Sequence, residues 1–115
     1  MKKMLLASML TALASTAAHA ACSPPDGAIQ IPDGTIATLD EMKAAQKAVV
    51  AYNEAVTAFT ACLQTEEAAK LKDGGDKKKI QQEYAKRNDD EVGKLQAVAD
   101  KFNNELKAFK ARTPG

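Results

Sequence analysis

From residue 38 onward, apolar residues recur at alternating spacings of three and four. Thr38, with Glu41 three positions later, is a capping box: a threonine hydroxyl and a glutamate that can each satisfy a free amide at a helix start. The acid at Asp40 also favours the positive end of the helix dipole. Met42, Ala45, Val49, Tyr52, Val56, Phe59 and Leu63 then follow the heptad spacing of a helix packed lengthwise against another. This predicts a first helix over 38–72, stopped by Asp73, Gly74 and Gly75 in a turn at 73–76. A second stripe, Ile80, Tyr84, Val92, Leu95, Val98, Phe102, Leu106 and Phe109, predicts a second helix over 77–111 and a frayed tail over 112–115. Asp76 suits its N-cap, although Lys77, Lys78 and Lys79 then occupy a first turn whose dipole prefers anions. Arg87, Asn88, Asp89, Asp90 and Glu91, followed by Gly93, interrupt the stripe. Asn88 and Glu91 resemble a second capping box, so the pattern leaves open whether the second helix kinks or restarts near 88–93 or runs through unbroken.

Two helices of matched length joined by so short a turn fold back antiparallel. The predicted fold is therefore all-α: a coiled-coil-like two-helix hairpin. Folding about the turn brings Gly93 toward Tyr52 and Val56, where a missing side chain would admit the tyrosine ring. The segment 21–37 reads differently. It repeats Pro25-Asp26-Gly27 as Pro32-Asp33-Gly34, two turn-forming triplets with Ile29, Ile31 and Ile36 between and after them. This is an extended arm, long enough to run back along the first helix.

Residues 1–20 add a location. Lys2 and Lys3 precede an apolar run from Met4 to Ala14, and Ala18-His19-Ala20 is a small-x-small cleavage site. The pattern is that of a secretory signal peptide, and the apolar run is about half of what a membrane-spanning helix needs. Lipid attachment at Cys22 is the lesser alternative, since His19 stands where a lipoprotein signal carries an aliphatic residue. Cleavage after Ala20 removes two lysines, the single histidine and three of the four methionines, so the formal charge of +1 becomes about −1. Cys22 and Cys62 remain, in a compartment where disulfides persist, and a bridge between them is predicted to tether the arm.

These counts narrow the chemistry. A histidine-free mature chain lacks the usual general base at neutral pH and the commonest transition-metal ligand. The two cysteines are too far apart in sequence for a redox couple, and Ser23 stands without an activating base. Asp26 and Asp33 lie in separate turns, too few oxygens for calcium, and Asp89, Asp90 and Glu91 point in different directions around a helix. No catalytic residue, cofactor or metal site is expected. The lysines around the turn, Lys70, Lys72 and Lys77 to Lys79, have no interleaved aromatic residues for base stacking, so they read as a solvated tip and no nucleic-acid partner is expected.

Ile31, Pro32, Asp33 and Gly34, then Ala44 to Val49 with Ala51, Tyr52, Cys62 and Leu63, resemble small uncharacterised exported helical proteins of Gram-negative bacteria. That resemblance covers the arm and first helix and implies a periplasmic setting, with no assigned activity. The expected role is a non-enzymatic periplasmic hairpin acting by protein-protein contact, as a homodimer or with another periplasmic protein. Tyr52, Val56, Phe59, Leu63, Leu95, Phe102 and Phe109 are its candidate core or interaction seam. The alternative is a carrier of a small apolar ligand or lipid in the space between arm and helices, with a cavity lined by Tyr52, Phe59 and Phe102.

Overall fold

The computed structural model describes residues 21–112; the expected signal peptide at 1–20 and the tail at 113–115 lie outside the described residues. Two helices in mutual contact form the described fold, with no strand among these residues: α1, Leu39–Lys72, and α2, Lys77–Arg112. The start of α1 is the predicted capping box. Glu41 N donates to the Thr38 hydroxyl at 3.1 Å, and Thr38 N donates to the Glu41 carboxylate at 2.7 Å. At its end Gly74 adopts a left-handed φ of 88°, and its amide donates to the Leu71 carbonyl, so the chain reverses where a side chain would be strained. Asp76 caps α2, its carboxylate accepting from Lys79 N at 3.2 Å.

Helix α2 is continuous from Lys77 to Arg112, one residue beyond the expected end, which settles the alternatives left open at 88–93 in favour of an unbroken helix. The reason lies in the periodicity. Tyr84, Glu91, Val98, Glu105 and Arg112 are each seven residues apart, and Arg87 stands seven after Ile80. The heptad seam thus runs on through the charged stretch with polar members. Glu91 turns inward, only 2% exposed, and caps nothing.

The interior includes two small apolar clusters, with Tyr52, Val56 and Glu91 buried outside them. Near the turn, Cys22, Phe59, Leu63 and Tyr84 pack together with Ile80 against them. At the open end, Ala37, Met42, Ala45 and Phe102 pack with Ile31, Val49, Leu106 and Phe109. Each includes an arm residue, so the arm is a third packing partner. It needs to be, because two helices alone bury one stripe each. The predicted bridge between Cys22 and Cys62 is formed, with the Cα atoms 5.9 Å apart, and among the described residues no cysteine is free.

Both arm triplets turn, by different means. The Asp33 carboxylate accepts from Thr35 N at 2.9 Å and from the Thr35 hydroxyl at 2.6 Å, while Ile36 N and Ala37 N close on the Asp33 carbonyl. The Thr35 hydroxyl bond, with the Thr35 amide, holds the Asp33 carboxyl below its ordinary value. At the first triplet the Asp26 carboxylate takes Ala28 N at 3.0 Å and Ile29 N donates to the Gly27 carbonyl at 2.8 Å, a tighter three-residue turn.

Candidate functional site

The polar groups of the molecule converge on the arm. A two-helix hairpin satisfies its own backbone, whereas an extended strand lying on helices has amides and carbonyls that need side-chain partners. Arg87, Glu105 and Arg112 of the α2 seam provide some of these partners, and Glu66 of α1 with the arm's own Asp26 and Asp33 provide others.

At the turn end, Cys22 N donates to Glu66 at 3.2 Å and Arg87 donates to the Cys22 carbonyl at 3.0 Å. Arg87 also lies 3.9 Å from Glu66, and its guanidinium sits over the rings of Tyr84, at 5.2 Å, and Phe59, at 6.0 Å. Lys70 is a second cation over the Tyr84 ring, at 5.3 Å. The Tyr84 hydroxyl is buried without a well-aligned hydrogen bond, yet it is close enough to Glu66 and Lys70 to act on both. It lowers the Glu66 carboxyl below its ordinary value, with help from the Cys22 amide, and raises the Lys70 ammonium above its own. This cluster fixes the arm beside its disulfide.

In the middle, Tyr52 donates its hydroxyl to Glu91 at 3.0 Å, and Lys94 reaches the other Glu91 oxygen at 3.4 Å. Burial and the neighbouring Glu91 raise the Tyr52 hydroxyl above its ordinary value. The glycine beside this ring is not Gly93, which faces open space, but Gly27 of the arm, where a Cβ would stand 3.0 Å from the Tyr52 hydroxyl. The expectation for Gly93 fails because the α2 residue opposite Tyr52 is Glu91.

At the open end, Gly34 N donates to Glu105 at 2.7 Å, and a Cβ on Gly34 would fall on the Glu105 carbonyl oxygen. Arg112 donates to the Ala37 carbonyl and stacks on Phe109.

Of the expected seam residues, Tyr52, Val56, Phe59, Leu63 and Phe102 are buried, and Leu95 and Phe109 half-buried. The carrier reading needs Tyr52, Phe59 and Phe102 around one cavity. Phe59 and Phe102 instead belong to opposite clusters among the described residues, with Tyr52 hydrogen-bonded to Glu91 between them. Among the described residues no group of three or more His, Cys, Asp or Glu side chains could hold a metal ion, and no helix is long and apolar enough to cross a membrane. Both cysteine sulfurs are used in the bridge, so this fold and a thioether lipid at Cys22 exclude each other.

No protein-family model, curated protein or solved structure matches the chain. The geometry alone therefore says what the molecule presents outward. At the tip, Lys72 and Lys77 to Lys79 are exposed around Asp73 and Asp76. Along α1, the side turned away from α2 exposes Val50, at 52%, among alanines with few charges; Leu39 and Ile36 are exposed near its start, at 55% and 76%.

Arg87, Glu91, Glu105, Arg112, Gly27 and Gly34 were not among the candidate residues read from the sequence. One signal was available for the charged four: they fall on the same heptad positions as Tyr84 and Ile80. A charge on a seam marks something polar to be held, here the arm backbone for Arg87, Glu105 and Arg112 and the Tyr52 hydroxyl for Glu91. The role of Gly34 has no such signal, since it depends on where the arm crosses α2.

Proposed function

We propose that this chain is an exported periplasmic protein without enzymatic activity, acting through protein-protein contact, with another copy of itself or with a second protein. The observation that carries the reading is the division of labour between the two sides of α1. Its inner side, with the polar seam of α2, is committed to holding the arm, and its outer side is an exposed, weakly charged helical surface. The side chains with altered proton affinity that touch the arm, Glu66 and Tyr52, are occupied by packing and hydrogen bonds within the fold. Export is supported by the Lys2-Lys3 start, the short apolar run and the Ala18-His19-Ala20 site, and it suits a bridge that persists in oxidising compartments. The resemblance of the arm and first helix to small exported proteins of Gram-negative bacteria agrees with that setting.

Expression with residues 1–20 in place, followed by fractionation and intact-mass measurement, tests the export half. The expected product is periplasmic, begins at Ala21 and lacks the two hydrogens lost in forming a disulfide. Cytoplasmic retention with two free thiols would overturn it. In-cell cross-linking through the α1 lysines tests the contact half, with adducts expected to contain this chain and one defined partner. Substrate turnover by the purified protein would overturn the non-enzymatic reading.

A further inference from the structure

We infer that the outer face of α1 is a self-complementary surface on which a second copy of this chain docks antiparallel, about a two-fold axis passing between Val50 and Ala51. The inference rests on the contact reading above and names its face, partner and register.

Three observations meet there. The first is shape: a shallow depression of about 310 Å³ lies on this face, lined by Gln46, Lys47, Val50, Ala51 and Glu54. Of these, Lys47, Val50, Ala51 and Glu54 stand at i, i+3, i+4 and i+7, which is the spacing of a hole that receives a knob from a facing helix. The second is an exposed apolar side chain at the same place, Val50. The third is charge. Lys47 and Glu54 are the charged residues of the hole, have opposite signs, and stand equally far on either side of the axis. Neither has an ion-pair or hydrogen-bond partner among the described residues.

Antiparallel docking places Lys47 of each copy opposite Glu54 of the other and seats each Val50 in the second copy's hole. The same register puts Ala44 opposite Thr57 and Lys43 opposite Ala58, so no like charges meet on either side of the charged pairs. A parallel arrangement would set lysine against lysine and glutamate against glutamate. The overlap of α1 with its copy is about 36 Å long and one helix wide, or about 700 Å² buried in total, below the usual size of a permanent interface. The dimer is therefore reversible, with a Kd between roughly 10 µM and 1 mM.

Sedimentation equilibrium of the exported, disulfide-bonded protein from about 10 µM to about 2 mM tests this. The expected result is a monomer–dimer equilibrium that Lys47→Glu or Glu54→Lys each weakens by about tenfold, with the double exchange K47E/E54K returning the Kd to within about threefold of the parent. Val50→Glu, which places two carboxylates across the axis, is expected to abolish dimerisation, and unchanged circular dichroism shows that each variant still folds. A monomer throughout the concentration range would overturn the inference while leaving contact with a different protein standing. A dimer indifferent to the single exchanges, or not restored by the double one, would show that self-association uses another face.

Discussion

At the residue scale, each half of the arm is held by groups whose removal leaves a buried partner behind. Tyr52→Phe deletes the donor to Glu91, which is 2% exposed, and leaves Lys94 as its sole partner. The expected loss of unfolding free energy is about 1–3 kcal/mol, read by urea denaturation, with Glu91→Gln costing less because an amide oxygen still accepts the bond. Gly34→Ala puts a methyl group on the Glu105 carbonyl, so the arm must lift away; amide exchange at Cys22 should stay slow while that at Ala37 rises. Proton linkage has a definite sign at both ends of the pH scale. Glu66 is lowered, chiefly by the Tyr84 hydroxyl and then the Cys22 amide, so its contribution is complete above its ordinary value of 4.5 and is lost as pH falls. Tyr52 is raised, chiefly by burial and then by Glu91, so its contribution is complete below 10.0 and is lost as pH rises. Glu66→Gln is thus expected to flatten the acid limb of Tm against pH, and Tyr52→Phe the alkaline limb.

At the element scale, α2 carries two features that its own propensity opposes. Gly93 lies in the middle of the helix, and a Cβ there meets nothing within 4 Å. Gly93→Ala should therefore stabilise the protein by about 0.5–1 kcal/mol, measured as a higher denaturation midpoint with an unchanged slope. Had Gly93 received the Tyr52 ring, as its sequence position suggested, the same change would destabilise. The other feature is the first turn, Lys77 to Lys79, which contains no acid. Tyr84, Glu91, Val98, Glu105 and Arg112 show why α2 nevertheless runs unbroken: tertiary contacts with α1 and the arm are spread along its whole length, and they outweigh local penalties of this size.

At the scale of the whole molecule, the arm is the third layer that completes a core two helices leave open, and the disulfide fixes one of its ends. The bridge closes a loop with a sequence separation of 40, so its loss in Cys22→Ser/Cys62→Ser should lower stability by roughly 2–4 kcal/mol in a denaturant titration. The arm retains its Gly34 and Ala37 anchors at the other end, so faster amide exchange should begin at Cys22 and spread toward Gly27 before it reaches Gly34.

The all-α hairpin, both helix starts, the turn at Gly74 and the pairing of Cys22 with Cys62 followed from residue pattern and count, because capping, heptad spacing and a single cysteine pair are local or combinatorial facts. So did the burial of Tyr52, Val56, Phe59, Leu63 and Phe102, which the apolar period dictates. The continuity of α2 through Asn88 to Gly93, the inward turn of Glu91, and the tasks of Arg87, Glu105, Arg112, Gly27 and Gly34 were decided only when the arm lay across both helices. Its path sets which backbone groups need partners, and no periodicity within a single segment encodes a contact between three.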